Sequence, residues 1–302
     1  MNRSEAREAL TGIIPSLRVP FLRDGGIDYR GLKNSIDFDI AGGAKTILLT
    51  YGDSLFSVLT DQEVAEITKR TVEFTAGRAM VVAAERQWWT GKVLEFAKYC
   101  RETGVDILMV LPPDWAGSCT SETLVEHYTA VAEQIPMMIV TAAFGSRPAD
   151  GLKIMEILRD KCPGFVAVKD DLCGEHGRQL CLLLNKEIPV FAGGQKQNHL
   201  NVYPYGCDGY LSTYLKFKPG IAHAYWSAIE KKDLAEACRI IDIYDRPFFD
   251  LVMSLPGWFD AGFHGTMEIF GIFGRWRRKP YYSLNDREME KLADFFKKKK
   301  LS

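Results

Sequence analysis

Short apolar runs alternate with longer amphipathic ones along this chain. Runs rich in Val, Ile, Leu, Met and Ala fall at 12–19, 45–50, 79–84, 106–111, 136–141, 165–169, 188–192 and 209–213. Each is continuously apolar rather than alternating, as strands covered on both faces are. Between them, helical periodicity occupies 32–41, 60–76, 92–103, 121–134, 151–161 and 175–184. The clearest start is Thr60, with Glu63 three residues later in the order of a capping box. Eight strand–helix units in about 215 residues predict an α/β chain folded as a (β/α)8 barrel. The competing fold, an open doubly wound sheet, carries a glycine-rich phosphate turn after its first strand. Here the first run leads instead into Pro20-Phe21-Leu22-Arg23-Asp24-Gly25-Gly26. From Pro219 onward no strand pattern occurs, and 219–236, 238–253, 259–273 and 286–297 read as helices. The expected organisation is a barrel over 1–218 with a C-terminal helical region, 219–302, packed on it.

Composition narrows the function. Of 302 residues, 47% are hydrophobic and 25% charged, and 38 basic residues stand against 39 acidic ones, so no nucleic-acid partner is expected. The run Arg275-Trp276-Arg277-Arg278-Lys279-Pro280 is too short to change that balance, and the lysines at 297–300 sit where a helix end favours positive charge. The seven cysteines are scattered without a C-x-x-C, which fits free thiols in a reducing compartment. Residues 1–5 open into mixed polar sequence with no leader-like apolar core, and no run of about 18 apolar residues occurs, so a cytoplasmic protein with no membrane partner is expected. Five histidines without an H-E-x-x-H spacing, and no phosphate or dinucleotide loop, predict neither a metal nor a cofactor.

Barrels of this kind do their chemistry at the C-terminal ends of the strands. Lys169 ends the apolar run Phe165-Val166-Ala167-Val168 and is followed by Asp170 and Asp171. An amine at the lip of a buried strand is partly desolvated, which favours the neutral nucleophile that a carbonyl carbon requires. The alternative is a lysine that snorkels to the surface and pairs with Asp170 or Asp171.

The segments together resemble the family of pyruvate-dependent class I aldolases that includes dihydrodipicolinate synthase and N-acetylneuraminate lyase. Residues 12–21, GIIPSLRVPF, resemble its first strand and T-P-F turn, with Val19 in place of the threonine. Leu49-Thr50-Tyr51-Gly52-Asp53-Ser54 resembles its G-T-T-G-E-S loop, and Val166-Ala167-Val168-Lys169-Asp170-Asp171 its strand bearing the imine-forming lysine. Phe191-Ala192-Gly193-Gly194-Gln195 and residues 206–212 resemble two later stretches. The motifs are individually loose, but their order and spacing run through most of the chain. The resemblance implies a lyase in which Lys169 condenses with a 2-oxo acid for aldol cleavage, aldol addition or dehydration of a deoxy sugar acid. It also implies a homodimer or homotetramer. Thr50, Tyr51 and Gly52 would bind the substrate carboxylate, with Gly52 letting the backbone come close. Asp53 would orient Tyr51 or Ser54, or cap a helix. Gly193 and Gly194 would border the substrate.

The sequence departs from that family where it matters. The family ends its fifth strand in a proton-relaying tyrosine; the aligned residue here is Val140. Tyr51 and Thr141 are the nearest replacements, with Tyr214 and water behind them. Arg147 reaches the family's carboxylate-binding arginine only across a two-residue insertion. Pro112-Pro113-Asp114-Trp115 replaces a tyrosine pair of the synthase branch, which argues against the lysine-biosynthesis activity. Trp88, Trp89 and Trp115 make the mouth aromatic, and packing against the helical region or another subunit accounts for them better than stacking on substrate. Without the tyrosine, a catalytically silent 2-oxo acid binding or sensory module is the alternative.

Overall fold

The computed structural model describes residues 1–184 and 186–301. Its eight parallel strands are β1 (Gly12–Ile14), β2 (Thr46–Leu48), β3 (Met80–Ala84), β4 (Ile107–Val110), β5 (Met137–Val140), β6 (Phe165–Asp170), β7 (Val190–Ala192) and β8 (Gly209–Leu211). Each lies within or overlaps an expected run. They pair in the order β1-β8-β7-β6-β5-β4-β3-β2. A parallel bridge between Ser16 and Leu48 brings β1 back to β2, with the Leu17 N–H donating to the Leu48 carbonyl at 2.8 Å. The sheet is therefore a nearly closed barrel. β2 to β8 are buried throughout, which is why their sequences carry no polar alternation.

The helices are α1 (Arg3–Leu10), α2 (Tyr29–Ala41), α3 (Asp61–Thr75), α4 (Thr90–Thr103), α5 (Ser121–Ala132), α6 (Pro148–Lys161), α7 (Gly174–Leu184), α8 (Gln195–Val202), α9 (Pro219–Glu230), α10 (Leu234–Ile240), α11 (Arg246–Ser254), α12 (Trp258–Ile269) and α13 (Asp286–Lys298). Thr60 caps α3 as expected, its side chain accepting from the Glu63 N–H while Glu63 reaches back to the Thr60 N–H.

Two helices were not expected from the apolar pattern. α1 starts at Asn2, whose side chain and Glu5 form a second capping box. It packs on β6, where Arg3 Nε donates to the Phe165 carbonyl at 3.1 Å, so it lies at the end of the barrel opposite the strand C-termini. α8 buries Lys196, His199 and Val202, mostly polar residues whose burial depends on distant partners. Lys196 Nζ donates to both oxygens of Asp245, at 2.9 and 2.8 Å. His199 Nδ1 lies 2.8 Å from the Tyr225 hydroxyl on α9, and burial pushes its imidazole down to about 4. The helix expected over 219–236 is broken after Glu230, and α10 restarts at Asp233, which caps the Glu236 N–H.

Candidate active site

Strand β6 places Lys169 at the C-terminal lip of the barrel. The residue is 6% exposed and opens into a cavity of about 340 Å3 lined by residues from the ends of β2, β4, β5, β6, β7 and β8. Lys169 is the one cation among the lining residues described. Its Nζ contacts Asp171 Oδ1. Residues two apart in an extended chain point the same way, so Asp171 follows Lys169 into the cavity while Asp170 turns outward. There the buried Asp170 carboxylate accepts from the Thr141 hydroxyl at 2.8 Å and from the Leu172 and Cys173 N–H groups, each at 3.2 Å. Thr141 Oγ1 in turn accepts from the Asp171 N–H at 2.8 Å, which clamps the segment after the lysine.

The loop after β2 forms the opposite wall with Thr50, Tyr51, Gly52 and Asp53. Its shape is fixed internally. Ser54 Oγ donates to the Leu17 carbonyl at 2.5 Å and accepts from the Thr50 N–H at 3.0 Å, while Thr50 Oγ1 accepts from the Asp53 N–H at 3.0 Å. Among the described residues, the N–H groups of Tyr51 and Gly52 have no protein acceptor. A Cβ on Gly52 would meet nothing within 4 Å, so its backbone is open to a ligand. Backbone N–H groups without a protein acceptor are the kind of donors that bind anions.

Asp53 orients neither Tyr51 nor Ser54. Its carboxylate pairs with Arg18 at 3.1 Å, and Arg18 also holds Asp260 of α12 at 2.7 Å. Burial alone would raise the Asp53 carboxyl. The Arg18 guanidinium, with Ser16 and Lys169, overcomes burial and holds it below the usual carboxylate range. Arg18, 3% exposed, stacks on Phe259 and Phe263, its carbon at 5.2 and 4.5 Å from the ring centres. The C-terminal helices thus help to set the charge of the cavity wall.

The remaining sequence candidates divide. Tyr51 and Gly193 line the cavity; Thr141, Arg147 and Gly194 are not among its lining residues. The Thr141 hydroxyl is spent on the β6 loop. The two terminal nitrogens of Arg147 bond to the Cys119 carbonyl at 2.6 Å and to Asp114 at 2.5 Å, which directs the guanidinium to the loop after β4. The Tyr214 hydroxyl donates to the Tyr244 carbonyl at 2.7 Å, away from Lys169. Trp88 packs edge-on against Phe96 at 5.2 Å, whereas Trp89 and Trp115 are largely exposed.

Glu85 directly follows the last residue of β3. It is fully buried, with its carboxylate accepting from the Leu111 N–H at 2.6 Å and the Trp88 N–H at 2.8 Å, so it ties the ends of β3 and β4 together beside the cavity. Burial pushes it up to about 7 against the pull of these donors. A carboxyl raised on folding adds stability below its unfolded value and loses that stability as pH rises through the folded one. Between about pH 5 and about pH 9, wild type should therefore lose more stability than Glu85→Gln, which cannot titrate. Parallel denaturant midpoints for the two proteins across that range would contradict this assignment.

Fold and site together define a (β/α)8 barrel with a buried lysine opening into a cavity at the end of the sixth strand. The sequence model of the dihydrodipicolinate synthetase family matches residues 9–299, and the chain belongs to that family. A protein described as probable 5-dehydro-4-deoxyglucarate dehydratase 1 of Streptomyces coelicolor is 27% identical over 236 residues, covering 76% of this chain and 73% of the relative. The 4-hydroxy-tetrahydrodipicolinate synthase of Oenococcus oeni is 26% identical over 234 residues, covering 75% and 78%. Among solved structures, dihydrodipicolinate synthase from Oceanobacillus iheyensis superposes with a TM-score of 0.84 at 22% identity, covering 98% of this chain and 100% of that one. N-acetylneuraminate lyase from Mycoplasma synoviae gives 0.81 at 18% identity, covering 98% and 99%. These structural likenesses establish the shared barrel. No helix among the described residues is long and apolar enough to cross a membrane.

Proposed function

We propose that this protein is a Schiff-base-forming lyase acting on a 2-oxo acid, by aldol cleavage or addition or by dehydration of a deoxy sugar acid. The observation that carries the reading is the 6%-exposed Lys169 amine opening into a cavity whose lining includes Tyr51 and Gly52, with backbone N–H groups that no protein acceptor takes. A 2-oxo acid has its carboxylate one bond from its ketone, so a carboxylate held by Thr50, Tyr51 and Gly52 would present C2 to Nζ. The attacking lysine forms an imine whose positive nitrogen draws electrons from the neighbouring carbon–carbon bond. A carbanion at C3 is then stabilised as an enamine, and a bond beyond it, C–C or C–O, breaks or forms. Meeting of amine and ketone within one cavity supplies the proximity advantage of an intramolecular reaction. Membership of a family whose named members include a dehydratase, a synthase and a lyase supports enzymic activity on a small molecule.

The test is borohydride reduction in the presence of pyruvate and of several longer 2-oxo acids. A reduced pyruvyl adduct on the peptide containing Lys169 is expected. No adduct with any of these acids would leave 2-oxo acid binding without chemistry as the better account.

A further inference from the structure

The lysine needs a partner that moves protons, because a carbinolamine loses water only when its hydroxyl is protonated. Val140, the cross-strand neighbour of Lys169 in the β5–β6 register, lines the cavity and offers no proton. The hydroxyls of Thr141 and Tyr214 are engaged elsewhere. Asp53 is held by Arg18. Three proton-bearing groups lining the cavity remain, Thr50, Tyr51 and Asp171, and of these only Asp171 contacts Nζ. Its side chain is 28% exposed, so the carboxyl meets both the amine and the cavity. Space for it is built into the fold on the β7 side. A Cβ on Gly193 would overlap Asp171 Oδ1 and come to 3.0 Å from Nζ, so glycine at that position admits the pair.

We propose, resting on the Schiff-base reading above, that Asp171 is the proton-transfer residue of the reaction, serving from the β7 side of the lysine where a β5 phenol would serve from the other. The Asp171 carboxylate first takes a proton from the Lys169 ammonium. The freed lone pair attacks C2, and the ketone π pair moves onto its oxygen. Asp171 delivers its proton to that oxygen, two bonds from Nζ, takes a second proton from the nitrogen and delivers that as well. The C–O bond breaks with its electron pair on the departing water, and the nitrogen lone pair closes the C=N bond. Both hydrogens of the water come from Nζ, one remains on the iminium, and Asp171 ends as the carboxylate it began as. No outside acid is required.

The test measures the rate of borohydride-trapped adduct with pyruvate and compares wild type with Asp171→Asn, Asp171→Ala and Tyr51→Phe. Asp171→Asn should slow adduct formation by about 10²–10⁴-fold, the usual contribution of a positioned acid or base, while the final extent of labelling at Lys169 approaches that of wild type. Tyr51→Phe should slow it far less. Added formate should restore part of the Asp171→Ala rate in a saturable way, which a merely structural carboxylate would not allow. Gly193→Ala, which displaces the carboxyl without removing it, should slow the reaction in the same direction. Wild-type rates in Asp171→Asn, or a loss in Tyr51→Phe matching the loss expected here for Asp171→Asn, overturn the proposal and leave the Schiff base standing. No adduct in wild type overturns both.

Discussion

Lys169→Arg should abolish turnover, lowering it by at least about four orders of magnitude, since enzymic accelerations are typically on the order of 10⁶-fold or more and this substitution removes the covalent route. Arginine keeps the positive charge and can still pair with Asp171, so the loss would be one of nucleophilicity rather than of charge balance. A guanidinium remains protonated at any working pH and has no lone pair for C2. The variant should fold, and pyruvate should still shift its thermal midpoint upward, because the Tyr51 and Gly52 N–H groups do not depend on the amine. The measurement is turnover of whichever 2-oxo acid labels wild type, read beside borohydride trapping. Full turnover by Lys169→Arg would exclude the mechanism.

The second large effect concerns stability. Lys196 and Asp245 are each 1% exposed and bridge α8 of the barrel to the turn before α11. Lys196 Nζ also lies 4.4 Å from the Tyr214 ring centre. Burial lowers the Lys196 ammonium and raises the Asp245 carboxyl, each opposed by its partner. Removing one member of such a pair strands the other charge out of water. Lys196→Met should cost about 3–5 kcal/mol. For a chain of this length that is a fall in thermal midpoint of roughly 5–8 °C. Adding Asp245→Leu to Lys196→Met should recover most of the loss, because an apolar pair has no desolvation debt. Thermal unfolding of both variants checks this. A double variant less stable than Lys196→Met would show that the pair is worth more than its burial costs.

How legible this was in the sequence depended on the reach of each interaction. The eight strands could be read because burial on both faces forces local, continuous apolarity. Lys169 could be read because it breaks such a run at a strand end. Asp171 was visible only as a possible salt-bridge partner, since its placement in the cavity depends on β6 staying extended through Asp170. The Arg18–Asp260 pair, separated by 242 residues, has no local signature at all. The same holds for α8, whose polar sequence folds as a buried helix because Asp245 and Tyr225 wait elsewhere in the chain. Thr141 was placed near the substrate by strand-end logic, and Arg147 by the family resemblance across a two-residue insertion. A tight turn at residues 141–144 instead directs the threonine hydroxyl onto the β6 loop, and the arginine is taken by Asp114.

The most direct measurement is a crystal structure of the protein soaked in pyruvate. Continuous density from Lys169 Nζ to C2 is the predicted result, with the carboxylate against the Tyr51 and Gly52 N–H groups and Asp171 beside the new bond. An unmodified lysine in crystals that hold pyruvate elsewhere, such as in the open basic groove around Arg23 and Lys279, would contradict the account.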